Sequence, residues 1–330
     1  ATDLYCAVTC RITVDSQEDG VCAVPGKQFR EIVSSLNPGS LELQFKEGTL
    51  KLSSGKTNTS LACPAHVDFP PFPQIEGEEF VLPIEHFEKI EQNILFSTSV
   101  DQARPVLTAV LFEFSADELK VVSTDGFRLS VLSLPNPTNY TDKSFLLPAK
   151  SLLEVLRIAM KLSVKEVRFK VSYELKQVFF SFQSVEIFVR LIDGSFPPYQ
   201  KIIPSVFTTE VVFDSQEMLE NLKRAAIFSR EASNIVRLRI YSDKVEVYSS
   251  SPSFGTYTGI VNQVKVTTDA EMKEIAFNIK YLVEYLSATK SDQQWLGMSE
   301  SLKPALLKPA GTIEYQHVIM PFKVNALLTL

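Results

Sequence analysis

The sequence is poor in the residues that do chemistry. It has three histidines in 330 residues, His66, His86 and His317, in three separate parts of the chain. It has no G-x-S-x-G and no H-E-x-x-H, so it offers neither a serine on a strained elbow nor a helix-borne zinc pair. No paired Asp/Glu constellation stands out from the solvated charges, and no metal or cofactor is expected. The four cysteines, Cys6, Cys10, Cys22 and Cys63, all fall in the first fifth of the chain. A disulfide framework would be spread more evenly, and a zinc site needs tightly paired ligands. Their pattern predicts small buried strand residues in a reducing, cytoplasmic compartment. No apolar run approaches the roughly 18 residues of a membrane span. Ala1-Thr2-Asp3-Leu4 shows no basic-then-apolar leader.

Basic residues are not in excess. Lys plus Arg number 33 against 39 Asp plus Glu, a net charge of −6. A protein that coats nucleic acid is normally basic, so contact with DNA requires cations segregated onto one surface. Apolar residues at 45% and charged ones at 22% describe an ordinary globular chain, which excludes a disordered or collagen-like one. Ser54-Gly55-Lys56-Thr57 ends like a phosphate-binding loop. However, Leu50 stands where that loop needs glycine, and Thr57–Leu61 alternates like a strand where the loop would open a helix.

What the sequence does have is repetition. Val24–Leu36, Leu147–Ala159 and Phe277–Thr289 read alike: an apolar residue, a helix-starting pair, a lysine, then apolar residues at helical spacing. The lysines are Lys27, Lys150 and Lys280. A second helix type ends in Ile94-Leu95-Phe96-Ser97 and again in Ala226-Ile227-Phe228-Ser229. Asp68-Phe69-Pro70-Pro71-Phe72 matches Ser195-Phe196-Pro197-Pro198-Tyr199, and paired prolines close a strand region.

The repeat is roughly 125–130 residues, a domain rather than a stacking element. Hairpins alternate at 41–45 with 50–52, at 167–171 with 178–182, and at 236–240 with 245–248 as the third copy. The expected fold is α+β, in three units at 1–77, 78–205 and 206–330. Three full copies would need about 48 more residues, so the first unit is expected to lack its N-terminal part. The three lysine-bearing helices are each net positive, at +1, +2 and +1, while segments 84–98 and 214–229 are negative.

These residues resemble a known family. Arg104-Pro-Val-Leu-Thr-Ala-Val-Leu-Phe-Glu113, Thr124-Asp-Gly-Phe-Arg-Leu129, Asp193-Gly-Ser-Phe-Pro-Pro-Tyr199 with Ile203-Pro204, Arg224–Ser229 and Val318-Ile-Met-Pro-Phe-Lys-Val324 are similar to the bacterial DNA polymerase III beta subunits, the sliding clamps. The resemblance covers essentially the whole chain. It implies three tandem clamp domains, each with two helices packed on antiparallel sheets, joined head to tail as a homodimer around double-stranded DNA. Such a ring is a non-catalytic processivity factor, and sliding needs only diffuse, sequence-independent phosphate attraction.

The resemblance places Lys27, Lys150 and Lys280 toward DNA, with Arg30, Arg104, Arg157, Lys161, Lys223, Arg224 and Lys290 beside them. It also implies a groove for linear peptides of the polymerase catalytic subunit, the clamp loader and repair proteins. By position the groove falls on Leu107, Thr124, Gly126, Phe127, Arg128, Leu129, Pro197, Lys201, Ile202, Val318, Ile319, Met320, Pro321 and Phe322. The family usually has His at the position of Phe127. Lys56 and Leu61 are expected to meet Ile227 and Phe228 of a second copy. Asn325–Leu330 extends past the usual end of the family and is a candidate to fold back into the groove. A repeat-built scaffold that never holds DNA is the alternative, and a hydrolase a distant third.

Overall fold

Residues 1–66, 69–70, 72, 76–230 and 233–323 are described by the computed structural model of the chain. The first unit holds β1 (Cys6–Cys10), α1 (Gly26–Ser35), β2 (Glu42–Lys46), β3 (Thr49–Ser54) and β4 (Thr57–Ala62). The second runs β5 (Phe80–Pro83), α2 (Ile84–Asn93), β6 (Ala109–Phe114), β7 (Glu118–Thr124), β8 (Arg128–Pro135), β9 (Lys143–Pro148), α3 (Ala149–Lys161), β10 (Glu166–Ser172), β11 (Gln177–Phe182) and β12 (Val185–Arg190). The third runs β13 (Thr209–Asp214), α4 (Ser215–Ser229), β14 (Ile235–Ile240), β15 (Val245–Ser251), β16 (Gly255–Val261), β17 (Val264–Thr268), β18 (Lys273–Asn278), α5 (Ile279–Ala288), β19 (Gln293–Met298), β20 (Ala305–Pro309) and β21 (Tyr315–Ile319).

Local chemistry accounts for these elements. In α3, Leu152, Val155, Leu156 and Ala159 recur at helical spacing and are all buried. Asp214 caps α4 by accepting the Glu217 N–H at 2.7 Å, and Asn278 caps α5 through the Lys280 N–H. The β2–β3 turn has Glu47 and Gly48 both at positive φ, as a two-residue hairpin requires.

Units two and three share one plan. In unit two, β5-β10-β11-β12 form one sheet and β9-β6-β7-β8 the other; in unit three these become β13-β19-β20-β21 and β18-β14-β15-β16. The true third copy of the β2–β3 and β10–β11 hairpins is therefore β19–β20, which follows α5 as they follow α1 and α3. The expected copy at 236–248 is instead β14–β15, the counterpart of β6–β7. Every hairpin in the unit alternates alike, so periodicity cannot tell them apart.

The fold is α+β with antiparallel sheets, and the first copy is incomplete. In residues 1–62, β1 matches β8, α1 matches α3, and β2–β4 match β10–β12; the remaining elements of the unit have no counterpart there. The cysteine expectation fails for the same reason. Cys10 is exposed and Cys6, Cys22 and Cys63 are half-buried, all as free thiols, because there is no full second layer to cover them.

The units are joined by strands. β8 of unit two pairs antiparallel with β21 of unit three, giving a continuous nine-stranded sheet. β1 of unit one pairs in the same sense with β12 of unit two. One face of the nine-stranded sheet carries the main core with α2 to α5. The opposite face carries a second cluster, with Leu111, Leu129, Val318 and Tyr199 packed under Phe196 and Ile203 of the segment after β12.

Candidate functional site

Lys27, Lys150 and Lys280 are each the second residue of their helix, α1, α3 and α5. All three are exposed, and none belongs to an ion pair among the described residues. A cation in the first turn opposes the helix dipole and slightly destabilises the helix. A lysine recurring there three times therefore answers to something outside the helix.

The secondary cations divide into two groups. Arg30, Lys161, Lys223 and Lys290 are exposed and unpaired among the described residues. Arg157 is held by Glu154 at 2.7 Å, Arg224 by Glu220 at 3.1 Å, and Arg104 by Asp101 at 3.1 Å, so their fields are largely neutralised locally. The Ala103 N–H and the Arg104 guanidinium also hold the Asp101 carboxyl below its usual range.

The residues expected to form a groove come from three segments that the fold brings to the junction of units two and three. Thr124 pairs with Leu129 across β7 and β8, and Leu129 and Arg128 pair with Val318 and Ile319 of β21. The Met320 N–H then donates to the Phe127 carbonyl at 2.9 Å. The turn between β7 and β8 is built on Asp125, whose carboxylate accepts from the N–H groups of Phe127 and Arg128. Gly126 sits at φ +94°, and a β-carbon there would lie 3.3 Å from Arg104 Nη1. The third segment is anchored by Tyr199, buried in the second cluster with its hydroxyl donating to Glu113 at 2.6 Å. Gly194 allows the close approach of this segment, since a β-carbon there would meet Val106 at 2.7 Å.

Within this set, Gly126, Phe127, Lys201 and Ile202 are exposed, and Pro197, Met320, Pro321 and Phe322 are half-buried. Leu107, Thr124, Arg128, Leu129, Val318 and Ile319 are buried beneath them. Phe127 presents 54% of its surface, a large apolar ring open to solvent. A cavity of about 450 Å³ lies beside the 191–200 segment and shares only Pro197 with the expected set. Phe322 donates its N–H to Ala276 of β18, and Asn325–Leu330 lies outside the described residues.

Arg128 is buried and bonded through each of its three guanidinium nitrogens. Its guanidinium bonds Asp125 at 3.1 Å, Glu284 of α5 and the Phe96 carbonyl, and it stacks 4.4 Å from the Tyr281 ring of α5. Behind it, Ser97, Ser130 and His317 form a buried hydrogen-bond chain, with His317 stacked on Tyr285. Sequence reasoning missed Glu284, Tyr281, Ser97, Ser130 and His317 as partners. They are single polar residues without a motif, and Glu284 lies 156 positions from Arg128.

The expected contact residues between copies lie at two open strand edges. β4 is the last strand of its sheet, with Leu61 in it and Lys56 in the turn that opens it. β16 is the last strand of the other. Phe228 stacks on Tyr257 of β16, and Ile227 beside it is exposed. Neither β4 (Thr-Asn-Thr-Ser-Leu-Ala) nor β16 (Gly-Thr-Tyr-Thr-Gly-Ile-Val) carries a charge or a proline.

No described helix is long and apolar enough to cross a membrane. The described residues hold no cluster of three or more His, Cys, Asp or Glu suited to a metal ion.

Comparison with known proteins follows the same outline. A family profile described as the DNA polymerase III beta subunit, central domain, matches residues 81–198, and one described as its C-terminal domain matches 200–323. The beta sliding clamp of Staphylococcus aureus is 28% identical over 318 residues, 94% of this chain and 82% of the relative. That of Salmonella typhimurium is 26% identical over 326 residues, 98% of this chain and 87% of the relative. The crystal structure of the beta subunit from Thermotoga maritima is similar with a TM-score of 0.90 at 26% identity, over 98% of this chain and 88% of that one.

Proposed function

The chain belongs to the DNA polymerase III beta subunit family, the beta sliding clamps, and on that premise we propose that two copies close head to tail into a ring around duplex DNA. Its class is that of a non-catalytic processivity factor of DNA replication. The observation that carries the ring is a repeated joint. The last strand of unit two pairs with β1 of unit one, and the last strand of unit three pairs with β8 of unit two. The same rule leaves β4, the last strand of unit one, to pair with β16, which matches β8 and β1. Among the described residues both edges are open, so a second copy supplies each.

In this ring the domains are taken as 1–77, 78–205 and 206–330. Lys27, Lys150 and Lys280 face the duplex, with Arg30, Lys161, Lys223 and Lys290 adding unpaired charge. Enclosure supplies persistence, so a small cationic excess suffices for sliding. The groove built around Phe127, Ile202 and Met320 takes an apolar linear peptide of the polymerase, the clamp loader or a repair protein. An apolar floor with a few fixed polar groups suits that mode of recognition.

The test is topological. The chain, loaded onto nicked circular DNA by a clamp loader, should stay bound and slide off once the circle is cut. Equal retention on linear DNA, or none on either, would favour a scaffold. Replacing Lys27, Lys150 and Lys280 together with Glu should cut loading at least tenfold and leave peptide affinity unchanged. If peptide affinity falls equally, the division of surfaces is wrong.

A further inference from the structure

We infer that the first joint, between units one and two, carries a second groove for linear peptides, one that takes an apolar side chain followed by a carboxylate. It borrows only the mode of binding from the groove reading at the second joint and stands on different residues.

The turn before β1 repeats the turn before β8. Thr2, Asp3, Leu4, Tyr5 and Cys6 fall where Thr124, Asp125, Gly126, Phe127 and Arg128 fall. The Asp3 carboxylate accepts the Tyr5 and Cys6 N–H groups at 3.0 and 2.8 Å, as Asp125 accepts those of Phe127 and Arg128. Leu4 takes the positive φ of Gly126, at +74° against +94°. The Arg190 N–H donates to the Tyr5 carbonyl at 2.9 Å, as the Met320 N–H does to that of Phe127. Phe69, Pro70 and Phe72 answer in turn to Phe196, Pro197 and Tyr199, and the Phe72 ring lies 5.9 Å from that of Phe188 on β12.

Three differences open this copy of the frame. Ala7 stands in the place of Leu129 and fills less space. Phe72 is exposed where Tyr199 is buried. Arg190 stands in the place of Met320. A cavity of about 130 Å³ results, with Tyr5, Ala7, Phe72, Gln177, Phe188 and Arg190 in its wall. That is roughly the room of one aliphatic side chain or a small ring.

Strand alternation decides which charges face it. The register puts Ala7, Phe188, Arg190, Gln177 and Phe179 on one face of the sheet. Cys6 and Val8 pack on the other, against the main core. Asp3 and Glu154 act on that side: after burial, they are what push the Cys6 thiol up to about 11. Nearby, Glu186 is paired with Arg11, Lys176 with Asp193, and the Ala1 amine with the Val8 carbonyl. Arg190 is exposed and Lys170 lies opposite Phe179; neither forms an ion pair among the described residues. Gln177 adds a buried side-chain oxygen with no hydrogen-bond partner, which a peptide N–H would satisfy. An apolar cavity under unpaired cations suits an apolar side chain next to an acidic one.

The experiment uses the full chain and two fluorescein-labelled peptides, Gly-Ser-Phe-Asp-Asp-Ser-Gly and its Asn-Asn counterpart. Wild type should bind the acidic peptide about threefold to fivefold more tightly, the scale of exposed charge contacts. Arg190→Glu, folded by circular dichroism, should erase that preference. Tyr5→Ala should weaken both peptides together, and Phe127→Ala should leave both Kd values in place. Equal affinities or no binding in wild type, an unchanged ratio in Arg190→Glu, or loss of binding in Phe127→Ala overturns the inference. Affinity that falls as chain concentration rises, or that rises on deletion of residues 325–330, would give the groove to a second copy or to the chain's own end and overturn it too. An apolar peptide that binds but is not weakened by Phe127→Ala would sink the second-joint groove alone.

Discussion

The two joints between units use the same backbone device and differ in what surrounds it. β1 meets β12 over five residue pairs, Cys6 to Cys10, and β8 meets β21 over five, Arg128 to Leu132. At the second joint both faces are covered. Val318 and Leu129 pack in one cluster, and Ser130, Tyr315 and His317 are buried on the other face beside α5. At the first, the β1 residues are half-buried or exposed, Leu4 and Tyr5 are exposed, and the cross-strand pair Arg11–Glu186 is open to water. Strand pairing alone fixes register; two covered faces make a joint rigid.

The largest effect is expected from Arg128→Ala at the second joint. It strands Asp125 and the Phe96 carbonyl without their cation and should cost about 3–5 kcal/mol in urea unfolding. A cost under about 1 kcal/mol would reduce the second joint to the standing of the first.

Acid should act on the same joint. Burial, with the nearby Arg128 charge, pushes His317 down from 6.5 to about 3. Above pH 6.5 the imidazole is neutral in both folded and unfolded chains and contributes no pH dependence. As pH falls from 6.5 toward 3, the unfolded chain takes up a proton that the folded one refuses. Stability then drops by up to about 1.4 kcal/mol per pH unit. Unfolding titrations at pH 7.5 and 4.5 should show a smaller drop in His317→Phe than in wild type; identical drops would acquit this residue.

A matched truncation sharpens the contrast. Val318→Ala empties a fully buried position and should cost about 2–3 kcal/mol, whereas Val8→Ala, half-buried on β1, should cost about 1 kcal/mol. Similar losses at both would mean that pairing matters more than cover. The smallest effect belongs to Arg11→Ala. Its partner Glu186 is partly exposed and Arg11 mostly so, and the melting temperature should move by no more than about 1–2 °C.

The sequence made some of this legible and hid the rest. Helix period, paired prolines and the recurring lysine exposed the repeat, because each is a local signal that survives without neighbours. Lys27, Lys150 and Lys280 indeed fall at one structural position. The β14–β15 hairpin lies in the third copy as expected but answers to β6–β7 and not to β2–β3 and β10–β11, since its alternation is shared by every hairpin. The cysteines failed because burial depends on a layer that residues 1–62 do not contain. Arg128 was recognisable within Asp125–Arg128, but its clasp by Glu284 and Tyr281 exists only once β8 and β21 have brought two units together.

The open edges at β4 and β16 carry a practical consequence. Several other edge strands are guarded: β9 by Lys143 and Pro148, β17 by Lys265, β18 by Lys273 and Glu274, and the uncharged β1 by residues 1–3, which fold back along it so that the Val8 N–H donates to the Ala1 carbonyl. β4 and β16 have no such guard, and an unguarded edge is a template for runaway strand addition. Chains held apart at high concentration should therefore form fibrous aggregates that bind thioflavin. A lysine placed outward on β16, as in Thr258→Lys, should keep them in solution at the expense of assembly.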